Sequence, residues 1–191
     1  MRVAIVASGP SARGFVPPDD ITVIAVNGAI DWIQRADYAF TLDPSKVNMA
    51  RQLKRYDVRY VIALPAGYRR VDPNIIRYRR IAYRGEEPTD KSSAAWLLWR
   101  FAAVKGLSTE PGCIHTGNSS WGALGLAYHL GATSVALVGV DGNSEPKVDG
   151  GSSGNLAHLG ELFASAIGQI DVVSCGALNT IPQISFEDWY C

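Results

Sequence analysis

Short runs of apolar, largely β-branched residues recur along the chain, at 2–7 (RVAIVA), 21–26 (ITVIAV), 36–42 (ADYAFTL), 59–65 (RYVIALP), 133–140 (TSVALVGV) and 170–175 (IDVVSC). The runs are continuous rather than alternating, which is the pattern of strands covered on both faces in a parallel sheet. Helical spacing fills the intervals at 27–35, 44–56, 90–106, 118–132 and 154–168, with Gly106, Gly131 and Gly168 as stops. This alternation predicts one α/β domain over residues 1–191, with a doubly wound, mostly parallel sheet flanked by helices.

In such sheets ligands bind beyond the carboxyl ends of the strands. The residues just past each predicted strand are therefore of interest: 8–11 (SGPS), Asn27 and Gly28, 43–45 (DPS), 115–120 (HTGNSS) and 139–143 (GVDGN). All are small or polar, and together they predict one cleft. The SGPS turn serves equally as a plain turn or as a cradle whose N–H groups and Ser8 and Ser11 hydroxyls face an anion. It is neither GxGxxG nor GxxxxGK[ST], so the dinucleotide and P-loop signatures are both missing. One helix cap needs one polar residue, yet Thr116, Asn118, Ser119 and Ser120 cluster at one helix start, which favours anion binding there.

Asp43 and Asp141 follow strands, where an Asp commonly caps a turn but can also hold a ribose, a metal or a reacting hydroxyl. His129 reads as structural and His115 as a residue that could face the cleft. His158 follows the Gly/Ser-rich stretch 141–155, read as a mobile loop, and suits acid–base chemistry or a plain helix surface.

A formal net charge of zero excludes a global pull toward nucleic acid or membrane, and no apolar stretch is long enough to span a bilayer. Three scattered cysteines give neither a disulfide framework nor a zinc spacing, and the opening residues do not read as a signal peptide. A cytoplasmic setting is expected. Charge is nonetheless uneven. Residues 51–84 hold ten Lys/Arg, nine of them arginine, against Asp57 and Asp72, with five tyrosines interleaved. The segment reads either as a solvated face or as a platform for an anionic acceptor, nucleic acid among the candidates.

These pieces, in this order, resemble the Rossmann-like superfamily of bacterial sialyltransferases and the related 6-hydroxymethylpterin diphosphokinase group. The resemblance rests on VAIVASGPSA, VIAVNGAIDW, YAFTLDPS and HTGNSSWGALGLAYHLGATSVALVGVD, covering most of residues 1–45 and 114–175. It implies a nucleotide-sugar donor held by Ser8, Gly9, Pro10, Ser11, Asn27, Asp43, Thr116, Gly117, Asn118 and Ser119. His158 would be the base on an acceptor hydroxyl, with Asp43 and Asp141 also in catalytic positions. Ser8 and Asp43 stand where the family has Asn. The diphosphokinase relatives imply a second chemistry, magnesium-dependent transfer from a nucleoside triphosphate, in which the two aspartates would serve the metal. A nucleotide-binding module without chemistry is a third reading.

Overall fold

The computed structural model describes residues 1–68, 72–152 and 154–191. Eight strands form one sheet: β1 (Arg2–Val6), β2 (Thr22–Val26), β3 (Tyr38–Thr41), β4 (Arg59–Leu64), β5 (Ile76–Ile81), β6 (Cys113–His115), β7 (Ser134–Val138) and β8 (Asp171–Ser174). Their spatial order is β6-β5-β4-β3-β2-β1-β7-β8, and every neighbouring pair is parallel. The chain thus builds outward from β1 to β6, then returns to the other side of β1 with β7. The gap above β1 and β7 is the topological switch point.

The six expected strands are all present. The sheet is wholly rather than mostly parallel, and it has two further strands, β5 and β6. The β5 sequence IRYRRI is half charged, because its strand lies next to the short edge strand β6, where full burial is not required. The helices are shorter than their apolar spacing predicts: α1 (Lys46–Arg51), α2 (Ala94–Arg100), α3 (Ser119–His129) and α4 (Leu159–Ala164). The stretch after β2 forms only a 3-10 turn, Asn27–Asp31, and a C-terminal helix, α5 (Phe186–Tyr190), was not expected. Among the described residues no helix is long and apolar enough to cross a membrane.

Two apolar layers cover the sheet. One joins Val3, Ile5, Ile24, Phe40, Val61 and Ile114 to α3 and α4. The other joins Ala4, Val6, Val23, Tyr60 and Ile62 to the 3-10 turn, with Met49, Phe186 and Trp189 packed on it. Helix α3 is buried along Ser119–Ala127, and its small residues let it sit close to the sheet. A Cβ at Gly122 would lie 2.7 Å from the Phe40 ring. That close seat places the start of α3 beside the ends of β2 and β3.

Candidate functional site

The switch point is built around Asp141. Gly139, with φ of 70°, lets the chain after β7 turn so tightly that a Cβ there would lie 2.3 Å from the Ala7 carbonyl oxygen. Asp141 then receives N–H donors from both flanking turns, Ser11 at 3.0 Å and Ala177 at 3.1 Å. The Ser11 hydroxyl accepts from Gly139 N–H at 3.0 Å. Asp141 and Ser11 therefore clamp the turns after β1, β7 and β8 together. Asp141 also forms part of the cleft lining, whereas Ser11 and Pro10 do not line it.

Above this clamp is a cleft of about 400 Å³, lined by Ser8, Gly9, Asn27, Asp43, Asn118 and Asp141 among others. Six residues expected from sequence thus meet in one cavity. The structure adds Asn48, Arg51, Lys147 and Asp149. Arg51 is oriented by Asp31 at 2.6 Å and by the Asn48 amide oxygen at 2.9 Å. Sequence reading placed Arg51 in the basic segment. Only the fold shows that α1 carries it to the cleft. The segment 141–155 forms a wall, fastened at its middle by Val148 N–H donating to the Ser8 carbonyl at 2.8 Å. Ser153, within it, lies outside the described residues.

Asn27 has φ of 51°, a left-handed conformation that Asn tolerates better than most residues. Its amide oxygen accepts from the Thr41 hydroxyl at 2.7 Å, and Thr41 in turn accepts from Asp43 N–H at 2.9 Å. Asp43 is exposed. Its carboxylate accepts from Ser45 N–H at 3.0 Å and from the Asn48 side-chain amide at 3.0 Å, so its direction is fixed while its face stays open.

A second cavity, of about 650 Å³, opens on the other side of Asp43. Asn27, Asp43, Asn118, Ser120 and Leu156 line both cavities and form the ridge between them. Thr116, Gly117 and Ser119 line only this second one. Three of these polar groups are already engaged. Asn118 caps α3 by accepting from Trp121 N–H at 2.9 Å, Ser119 accepts from Leu42 N–H at 3.1 Å, and Thr116 donates to the Phe101 carbonyl at 3.2 Å.

His158 lies apart from both linings. It is wholly buried at the start of α4, stacked on Phe101 with ring centroids 4.8 Å apart, and neither ring nitrogen has a partner. Loss of water pushes its pKa down to about 4. Phe101 lines the second cavity and separates it from His158. Its neighbours Leu159, Leu162 and Phe163 are buried with it. His115 and His129 are tied to backbone carbonyls of Gly106 and Cys113, each at 2.7 Å.

Among the described residues, the arginines of the basic segment 51–84 are divided between ion pairs and the two faces of the sheet. Arg55 pairs with Asp57 at 2.7 Å and Arg79 with Glu110 at 2.5 Å. In register, Arg77 and Arg79 pair with Ile62 and Leu64, whereas Arg80 pairs with Ile114, so they project from opposite faces of the sheet. Arg69 and Arg70 lie outside the described residues. Among the described residues no three His, Cys, Asp or Glu side chains gather as a metal ligand set. Comparison of the chain with protein-family models, curated proteins and solved structures finds no match in any of the three.

Proposed function

We propose that the chain is a nucleotide-sugar-dependent glycosyltransferase in which Asp43 is the general base. The observation that carries this reading is the place of Asp43: an exposed carboxylate on the ridge between two cavities, held by Ser45 and Asn48. The cleft at the switch point takes the nucleotide, with Arg51 and Lys147 facing its phosphate. The second cavity takes the acceptor. Asp43 removes the proton from the acceptor hydroxyl, whose oxygen forms a bond to the anomeric carbon. The bond from that carbon to the phosphate oxygen breaks, and its electron pair leaves with the nucleotide. Arg51 and Lys147 donate to the departing phosphate and stabilise its charge. Asp43 takes the base role rather than His158, because the imidazole is sealed behind Phe101. The resemblance to sialyltransferases supports the donor class.

Cytidine and uridine nucleotide sugars and nucleoside triphosphates, with and without magnesium, test the reading. The expected result is a metal-independent rise in melting temperature with one of them, and slow release of free nucleotide on chromatography. Asp43→Asn keeps the thermal shift and loses at least about a hundredfold in release rate. A shift only with a triphosphate and magnesium would replace the reading with diphosphate transfer. Binding with no release by the native chain would make the protein a nucleotide-binding module.

A further inference from the structure

The second cavity contains a concentration of positive charge that the nucleotide cleft does not use. Arg80 enters from β5, Arg84 from just beyond it and Arg100 from the end of α2. Among the described residues none of the three has an acidic partner within ion-pair distance. Each is instead held by something else. Arg80 donates its Nε to the Ala63 carbonyl at 3.2 Å, and its Nη2 is buried without any acceptor. The Arg84 guanidinium lies over the Trp99 ring and that of Arg100 over the Trp96 ring, both at 5.2 Å from the centroid.

A buried guanidinium nitrogen with no acceptor is costly unless a ligand supplies one. Burial lowers the pKa of Arg80 from its ordinary value, while the charge of Asp43 acts the other way. Among the described residues Asp43 is the acidic group lining this cavity, it also lines the first cleft, and it makes no ion pair with Arg84 or Arg100. Stacking on tryptophan leaves the edges of the Arg84 and Arg100 guanidiniums open to donate, and a planar fork suits the oxygens of a phosphoryl group.

We infer that this cavity is a phosphoryl-binding subsite, in which Arg80, Arg84 and Arg100 hold the phosphate monoester of the second substrate. The acceptor would then lie with its phosphate on the arginines and a hydroxyl at Asp43. The assignment of that substrate as the acceptor rests on the proposed transfer, but the anion site itself does not. The divergence of Arg77 and Arg79 onto the opposite face favours a compact phosphorylated molecule over a nucleic-acid strand laid along the segment.

Calorimetric titration with inorganic phosphate at constant ionic strength tests the subsite, and titration with a cytidine or uridine diphosphate reports separately on the nucleotide cleft. The native protein is expected to bind phosphate. Arg84→Gln/Arg100→Gln keeps the side-chain stems over the tryptophans and should weaken phosphate binding at least about tenfold while sparing the nucleotide. Arg51→Ala should do the reverse. Phosphate binding by the native chain that the double variant leaves intact, or that Arg51→Ala removes, would overturn the inference, as would no phosphate binding at all. Failure of nucleotide binding alone would strike the proposed transfer and leave the anion site standing.

Discussion

His158 shows how burial alone converts a titratable side chain into a stability element. Its ordinary pKa of 6.5 falls to about 4 in the folded protein because water is excluded. Between these values the unfolded chain binds a proton that the folded chain does not. Stability is therefore fully present above about pH 6.5 and falls as the pH drops toward 4, by up to about 3 kcal/mol. His158→Leu should flatten this dependence and cost little at pH 7.5, because it also removes two buried polar atoms without partners. Urea midpoints at pH 7.5 and pH 5 measure it; equal acid losses in the two proteins would contradict the linkage. The sequence marked His158 by its place after a Gly/Ser loop, but the run NLAHLGELF carries no sign of which face would turn inward. Asp43 and Asn27 were legible because a strand-end position alone brings a residue to the carboxyl rim. Arg80, Arg84 and Arg100 were not, since their meeting depends on where α2 crosses back toward the sheet.

Among the elements, α3 is the one whose seat decides the shape of both cavities, since its first turn forms the ridge. Its two internal glycines face different environments. A Cβ at Gly122 would meet the Phe40 ring at 2.7 and 2.9 Å, whereas one at Gly125 would find Ile114 at 3.3 Å. Alanine in place of helical glycine gains about 1 kcal/mol in propensity. At position 122 overpacking of about 1–3 kcal/mol outweighs that gain. Gly122→Ala should therefore lower the denaturation midpoint, and Gly125→Ala should leave it level or raise it. A midpoint raised at 122 would show that α3 moves away freely. The strands were easier to read than the helices. Continuous apolar runs mark a doubly covered strand directly, but helix length depends on where tertiary packing stops, and the predicted helix over 90–106 ends after Arg100, with Phe101 as its cap. Strand β5 escaped because its three arginines break the continuous apolar run that marks the other strands, and β6 because Cys113–His115 is too short to show a period.

For the whole molecule, the strand order means that β1 has partners from opposite ends of the chain. Val3 pairs with Thr22 on one side and with Val135 on the other. From β1 to β6 the sheet grows by adding each new strand to its outer margin, so most pairings are between consecutive segments. The step to β7 is different. β7 must return across the sheet to pair beside β1, which brings Asp141 to the Ser11 amide, and β8 then adds beside β7 and supplies the Ala177 amide. A fragment of residues 1–132 would present the entire unpaired edge of β1, RVAIV, to solvent. Such a fragment should aggregate and show no cooperative unfolding, and light scattering with urea titration would reveal a contrary outcome. Closing so long a loop is slow, and slower still for parallel strands. During synthesis, the ribosome releases six strands before the seventh, so the nascent chain carries a finished outer margin and an unfinished centre. The crevice above β1 and β7 is complete only when residues 134–177 have joined the sheet, because its clamp draws on the turns after β1, β7 and β8.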